Sequence, residues 1–300
     1  MKKTLFVINP IAGKGLIKSS LLDIIDTFCK NDMDVTVYTT QQEGDATKAC
    51  EERAGDFDMI VCSGGDGTLD EVVNGVHKAN VNVPIGYIPA GSTNDFASSL
   101  GISSVMKRAA QTIVDGKDYK CDVGIMNGES FVYIAAFGLF TDVSYETRQD
   151  LKNLLGHVAY IMEGMKKISE IRSYHMKLMA KDLNLILEDD FIFGMVTNSV
   201  SVGGFKKITG KYVELDDGVF EVTLVKMPKN MIELSNIMAS LLDRDIDTNY
   251  MYCFKTNHLI MDSEEEISWT RDGEFGGAYT HAEIINDNKG ITIRVPDKKS

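Results

Sequence analysis

Short apolar, β-branched runs alternate with segments of helical periodicity over the first 125 residues. This alternation is typical of a parallel sheet covered by helices, because each parallel strand needs a crossover to reach its neighbour. The predicted strands are residues 4–8, 35–39, 59–62 and 85–88; the predicted helices are residues 45–54, residues 68–78 and a segment with Leu21, Leu22, Ile25 and Phe28 on one face. We therefore expect an α/β fold for this half.

Strand and turn signals replace the alternation after Lys120. Asn127 and Gly128 tolerate the positive φ angles of a type I′ turn, so residues 125–131 are predicted to form a hairpin. Further strands are predicted at residues 174–179, 191–196, 219–225, 267–270 and 291–295, with helices around residues 151–168 and 232–242. The second half is thus predicted to be mainly antiparallel, and the domain boundary falls near residues 122–128.

The charge balance limits the partners. Asp and Glu number 44 against 31 Lys and Arg, which gives a net charge of −13. Such a surface repels a phosphodiester backbone, so we expect no nucleic-acid partner. The five cysteines are dispersed and no apolar run reaches the ~20 residues that cross a bilayer. A cytoplasmic location is expected.

The stretch from Val61 to Gly75 is the most informative. A buried strand runs into three glycines, Gly64, Gly65 and Gly67, and then into a helix in which Thr68 and Glu71 have the spacing of a capping box. Glycines let the backbone approach a ligand, and a helix start attracts anions. The turn predicts a phosphate cradle, and a tight strand-to-helix turn without a ligand is the alternative.

The carboxylate of Asp66 limits the kinds of ligand that the turn can bind. A carboxylate beside a phosphate repels it unless Mg²⁺ lies between them, so the turn favours a magnesium nucleotide complex. The dinucleotide fingerprint is excluded because Asp70 stands where its third glycine belongs, and no Gly-x-x-x-x-Gly-Lys-Ser/Thr motif is present.

Several further motifs extend over nearly the whole chain. In order they are Asn9-Pro10-x-Ala12-Gly13-Lys14, Gly64-Gly65-Asp66-Gly67-Thr68 with Glu71 and Asn74-Gly75, Pro89-x-Gly91-Ser92-x-Asn94-Asp95-Phe96-Ala97, Leu215-Asp216-Asp217-Gly218-Val219 and Asp272-Gly273-Glu274. Together they resemble the diacylglycerol kinase catalytic-domain family of soluble lipid kinases. The resemblance implies an α/β nucleotide-binding domain over residues 1–125, completed by residues 286–300. It also implies a β-sandwich domain over residues 126–285 that carries the lipid-acceptor site.

The resemblance also implies roles for individual residues. ATP would be bound by Asn9, Thr40, Gly64, Gly65, Asp66, Gly67, Thr68, Leu69, Asp70, Ser92, Asn94 and Asp95. Asp66 would act through Mg²⁺ or its water, supported by Asp95. The Asp217 carboxylate and the carbonyls of Glu214 and Val219 would hold a second, structural Mg²⁺. Glu274 would be the general base, with Asp272 as the alternate.

Two positions depart from the family pattern. Asp70 stands where the family commonly has Asn, and Ser92 where it commonly has Thr. Ser92 keeps a hydroxyl, whereas Asp70 adds a negative charge in the first turn of the phosphate-binding helix. The added charge is expected to weaken the binding of a triphosphate unless a cation screens it, so both the affinity for ATP and the choice of nucleotide depend on Asp70.

The expected reaction moves the γ-phosphoryl group of ATP to a lipid hydroxyl, with diacylglycerol as first choice and phosphatidic acid as product. The motifs leave three alternatives open. They are a sphingoid-base or ceramide kinase, a kinase of NAD, and a nucleotide-binding regulator without catalysis.

One stretch of the chain is basic although the net charge of the whole chain is negative. Residues 148–181 contain seven Lys or Arg against three Asp or Glu, a local charge of 7 − 3 = +4. Apolar residues recur there at helical spacing, so the stretch is expected either to dock on the inner face of the membrane or to form a solvated helix. Lys166 and Lys167 are the test positions for docking. The sequence leaves the oligomeric state open, and a homodimer is among the expected assemblies.

Overall fold

A computed structural model describes residues 1–91, 94–138, 171–198, 201–202, 205–206, 214–243 and 249–297. The strands are β1 (Lys2–Ile8), β2 (Met33–Thr39), β3 (Met59–Gly64), β4 (Ile85–Pro89), β5 (Lys117–Met126), β6 (Glu129–Phe131), β7 (Ile134–Gly138), β8 (Tyr174–Ala180), β9 (Leu185–Thr197), β10 (Ser201–Val202), β11 (Phe205–Lys206), β12 (Phe220–Lys226), β13 (Met251–Thr256), β14 (His258–Arg271) and β15 (Glu274–Val295). The helices are α1 (Leu21–Lys30), α2 (Asp45–Arg53), α3 (Asp66–Lys78), α4 (Asp95–Ser99), α5 (Met106–Asp115) and α6 (Met231–Asp243). Two compact units result, unit 1 (Met1–Val123 with Asn288–Ser300) and unit 2 (Gly124–Asp287).

Unit 1 contains a parallel sheet in the order β2–β1–β3–β4. The C-terminal end of β15 adds to it, since Ile293 lies beside Ile85 in parallel. Leu5, Phe6, Val7 and Ile8 are all buried on β1. Such a continuous apolar run is expected of a central parallel strand that is covered on both faces.

The helices of unit 1 differ in detail from the prediction. Ile24 and Phe28 are the fully buried residues of α1, and Leu22, predicted on the buried face, is 79% exposed. Phe28 packs edge-on against Phe6 at 5.9 Å between ring centroids, which fixes the inward face around the Ile24–Phe28 pair. The sequence prediction missed α5, because its buried side includes the small residues Ala109 and Ala110.

Unit 2 is antiparallel, as predicted. Its strands follow the order β13–β12–β9–β7–β14–β15, while β8 pairs with both β9 and β14. Hydrogen bonds join these strands into one continuous antiparallel network, and the pairing of β14 with β15 shifts in register between Asp262 and Ile267 and between Trp269 and Thr270. Trp269 lies in its core, with its ring 4.9 Å from that of Phe137.

Two short strands share one position in this sheet. β7 pairs with the C-terminal half of β9 and β8 with its N-terminal half, so that Gly138 lies opposite Phe193 and Tyr174 opposite Phe191. On the other side, β14 pairs with β8 and then with β7. Gly138, the last residue of β7, and Tyr174, the first residue of β8, therefore lie opposite residues only two apart on β9.

The predicted hairpin is confirmed by its turn. Asn127 and Gly128 have φ angles of 49° and 87°, and Met126 pairs with Glu129. Strands β9 and β14 begin earlier than predicted, at Leu185 and His258, because three consecutive acidic residues, at positions 188–190 and 264–266, interrupt their apolar pattern.

Some sequence predictions lie outside the described residues. They concern Ser92, the helix at residues 151–168, and Lys166 and Lys167. Over the helices that the structure describes, none has the length and apolar character needed to span a membrane.

Candidate functional site

The carboxyl ends of the parallel strands bring several predicted residues to one edge of the unit 1 sheet. The N–H of Asn9, just after β1, donates to the carbonyl of Ser63 in β3 at 2.9 Å. Beside them, the N–H of Thr40 donates to the carbonyl of Ile8 at 2.9 Å. Ligands of open α/β sheets bind at this edge of the strands.

The turn from β3 to α3 starts the helix earlier than predicted. Gly65 is extended (φ −85°, ψ −174°) and its carbonyl accepts the N–H of Leu69 at 3.1 Å, so Asp66 is the first helical residue. Thr68 lies inside the first turn. The predicted capping box of Thr68 and Glu71 is wrong, because Gly65 occupies the capping position.

Glu71 instead caps the neighbouring helix. Its two carboxylate oxygens accept the N–H groups of Gly44 and Ala46, at 3.1 Å each, at the start of α2. The hydroxyl of Thr47 also donates to the Glu71 carbonyl at 3.0 Å. The side chain therefore fixes α2 against α3, a role that spacing along one helix could not reveal.

Glycines let two turns meet at this edge. A Cβ on Gly91 would lie 2.7 Å from the Cα of Gly65, and a Cβ on Gly64 would overlap the side chain of Thr68. The N–H of Ala90 donates to the carbonyl of Gly64 at 2.7 Å. The two backbones are therefore in direct contact, and a side chain at Gly91 would separate them.

Asn94 holds the second turn. Its side chain donates to the carbonyl of Gly91 at 2.8 Å and accepts the Gly91 N–H at 2.9 Å. The hydroxyl of Tyr87 donates to the carbonyl of Gly64 at 3.3 Å. Sequence reasoning missed Tyr87, although a tyrosine in an otherwise apolar predicted strand was a usable signal.

Asn9 stabilises the loop that follows β1. Its amide donates to Thr68 Oγ1 at 3.2 Å, and its Oδ1 accepts the N–H groups of Ile11 and Ala12, at 3.2 Å each. Asn9 thus joins this loop to the first turn of α3.

Two buried aspartates, Asp66 and Asp95, lie at the starts of α3 and α4. Asp66 is 8% exposed and Asp95 3%, and the N–H of Asp95 donates to Asp66 Oδ2 at 3.0 Å. The Asp66 carboxylate lies beside a glycine turn that excludes side chains, and a carboxylate oxygen there is the kind of ligand that suits Mg²⁺ carried by a nucleotide. No cluster of three or more acidic, His or Cys residues suited to a metal occurs in the described parts of the chain. In a magnesium nucleotide complex, phosphate and water oxygens commonly supply the remaining ligands.

The two predicted bases of unit 2, Asp272 and Glu274, have different surroundings. Asp272 is 2% exposed, and its carboxylate accepts N–H groups from Val132 at 2.6 Å, Tyr133 at 3.0 Å and Ile134 at 2.9 Å. Its φ angle is 48°, in the left-handed region of a tight turn. Glu274, two residues on, is only half-buried and starts β15. Asp272 therefore holds the turn.

Asp217, a predicted ligand of the second Mg²⁺, already contacts a cation of the chain. Lys255 Nζ lies 3.0 Å from Asp217 Oδ2 and 2.9 Å from Glu221 Oε1. Burial lowers the pKa of Lys255, but the two carboxylates raise it by more, so its net shift is upward. This arrangement does not fit a divalent cation bound directly at Asp217 Oδ2.

Comparisons with known proteins find relatives that cover nearly the whole chain. Residues 3–126 match the family described as diacylglycerol kinase catalytic domain. A diacylglycerol kinase from Bacillus subtilis (strain 168) is 31% identical over 304 residues, covering 100% of this chain and 98% of the relative. One from Staphylococcus carnosus (strain TM300) is 32% identical over 301 residues, covering 98% and 95%. A crystal structure of a diacylglycerol kinase from Bacillus anthracis str. Sterne has a TM-score of 0.75 and 25% identity, covering 98% of this chain and 97% of that one.

The chain belongs to the diacylglycerol kinase family. It is a kinase, and the coverage extends over both units.

Proposed function

We propose that this kinase transfers the γ-phosphoryl group of ATP to the hydroxyl of diacylglycerol and produces phosphatidic acid. The observation that supports it most is the contact between the Gly65 and Gly91 turns beside the Asp66–Asp95 pair. Relatives that match nearly the whole chain carry the name diacylglycerol kinase. Phosphoryl transfer depends chiefly on such positioning and charge stabilisation.

Unit 1 is proposed to bind the nucleotide. The first turn of α3 directs backbone N–H groups and the positive end of its dipole toward the phosphates. Thr40, the segment from Gly64 to Asp70, and Ser92 are proposed to contact ATP. Mg²⁺, when bound, offsets negative charge on the phosphates. Asp66 and Asp95 are the residues proposed to hold it, directly or through water.

Unit 2 is proposed to supply the general base. Glu274 is preferred because the residue is partly exposed, whereas Asp272 is buried and its carboxylate oxygens accept three backbone N–H groups. Glu274 would accept the proton of the lipid hydroxyl, and Asp272 would hold the turn that carries Glu274. Because diacylglycerol resides in membranes, we propose peripheral association of the chain with the inner face of the membrane.

The acceptor is tested by incubating the purified chain with labelled ATP and Mg²⁺. Separate reactions contain diacylglycerol, sphingosine, ceramide or NAD, with each lipid in the same mixed micelles. We expect label in phosphatidic acid. Label in another acceptor alone contradicts the choice of diacylglycerol, and no transfer to any of them contradicts the proposed reaction.

The base is tested by Glu274→Gln. We expect turnover to fall by about 10²- to 10⁴-fold, the contribution typical of a general base, while ATP binding measured by calorimetry survives. Glu266→Gln, on the exposed side of β14, is the matched control and should keep full turnover. Unchanged turnover in Glu274→Gln removes this residue from the mechanism.

A further inference from the structure

Three charged side chains form a cluster at one edge of the unit 2 sheet. Lys255 on β13 lies opposite Glu221 on β12 in the strand register, and its ammonium group is 2.9 Å from Glu221 Oε1. The same ammonium is 3.0 Å from Asp217 Oδ2. The Glu221 side chain is only 11% exposed and that of Asp217 21%, so solvent screens both charges weakly.

The other oxygen of Asp217 is engaged within its own turn. Asp217 Oδ1 accepts the N–H of Val219 at 3.2 Å, and Gly218 between them has a φ angle of 80°. Residues 217–219 are hereafter the Asp217 turn. Its carboxylate is therefore oriented by a local hydrogen bond, with Oδ2 directed at Lys255.

We propose that the Lys255 ammonium group is the resident cation of the Asp217 turn, in the position where the family pattern places a second Mg²⁺. Two carboxylates and one ammonium leave a net charge of −1. A divalent ion bound at the same Asp217 oxygen would lie within a few ångströms of the ammonium, and their repulsion in this half-buried setting opposes binding. The inference concerns the stability of unit 2 and is independent of the proposed nucleotide and acceptor.

Thermal unfolding of the metal-stripped full chain, without nucleotide, tests this proposal. The melting temperature is measured in chelator and in millimolar Mg²⁺ for the wild type and for Asp217→Asn. We expect the response to Mg²⁺ to be the same in both proteins. A rise with Mg²⁺ in the wild type that Asp217→Asn abolishes overturns the proposal, because only binding to the folded protein at Asp217 produces it.

Removal of the Lys255 ammonium group should allow Mg²⁺ to bind at the Asp217 turn. In Lys255→Met we expect the melting temperature in chelator to fall by about 2–4 °C or more, and Mg²⁺ to restore part of this loss. Lys255→Arg keeps the charge and should behave as the wild type. Lys181→Met is the matched control, since Lys181 is similarly exposed and pairs with Glu283 at 3.4 Å, and it should gain no response to Mg²⁺.

A second experiment counts the bound ions directly and does not depend on the folding of Lys255→Met. Mn²⁺ is titrated into the wild type and Asp217→Asn, and the bound ions are counted from the loss of the free-ion electron paramagnetic resonance signal. Equal numbers support the proposal. One more bound Mn²⁺ in the wild type contradicts it.

Discussion

The Val132 backbone N–H donates to Asp272 Oδ2 at 2.6 Å, and this hydrogen bond joins the turn after β14 to the chain just before β7. The other carboxylate oxygen accepts two more N–H groups, from Tyr133 and Ile134. Both carboxylate oxygens of Asp272 therefore accept hydrogen bonds from the backbone. Asp272 acts as a structural anchor for the residue proposed as the base.

Substitution Asp272→Asn should destabilise the protein. The amide group that replaces one oxygen cannot accept an N–H, and a buried donor left unpaired costs about 1–3 kcal/mol. Chemical denaturation measures the free energy of unfolding, and Glu274→Gln serves as the comparison that should leave it nearly unchanged. Full stability in Asp272→Asn would contradict the anchoring role.

Substitution Gly91→Ala should separate the two glycine turns. The added Cβ would meet Gly65 Cα at 2.7 Å and Asn94 Oδ1 at 2.9 Å, and overpacking of this kind costs about 1–3 kcal/mol. Gly55→Ala is the control, because its Cβ would make only an ordinary contact with Val81 at 3.7 Å. Unfolding free energies and ATP affinity are measured for both. Equal behaviour of the two variants would show that the contact is not needed.

Substitution Glu71→Ala should weaken the start of α2. It removes the acceptor of the Gly44 and Ala46 N–H groups, and loss of a helix cap typically costs about 0.5–2 kcal/mol. Glu52→Ala, whose exposed carboxylate pairs with Lys48 at 4.0 Å, should cost less. Denaturant unfolding decides between them, and a larger loss in Glu52→Ala would refute the capping role.

His175 should titrate above its ordinary range. A hydrogen bond from its Nδ1 to Asp190 at 2.9 Å is the main reason that its pKa is raised, and Glu188 at 3.5 Å adds to it. Protonated His175 therefore stabilises the β8–β9 pair below about pH 6.5, and this contribution is lost as the pH rises through the folded pKa.

Nuclear magnetic resonance titration of the His175 ring measures this pKa. Asp190→Asn should lower it more than Glu188→Gln does, since the Asp190 contact is shorter. An equal pKa in all three proteins would show that neither carboxylate acts on the ring.

Local chemistry made part of this molecule predictable from its sequence. The buried runs that became β1 and β3, and the positive φ angles at Asn127 and Gly128, follow from residue types next to each other in the chain. The glycine turn after β3 was predicted for the same reason. The antiparallel character of the second half followed from its strand and turn signals.

Long-range partners were not predictable. Glu71 caps a helix that begins 26 residues before it, at Asp45, and Lys255 contacts Asp217, 38 positions away in sequence. The three N–H groups held by Asp272 come from residues about 140 positions earlier. Side-chain type and spacing along the chain do not predict such pairs, because tertiary packing determines which distant residues meet.

The shared position of β7 and β8 makes β9 and β14 a common template for two separate strands. Gly138 and Tyr174 lie opposite residues only two apart on β9, so one pair of long strands sets the register of both short strands. A disturbance of β9 between Phe191 and Phe193 would therefore act on both pairings at once.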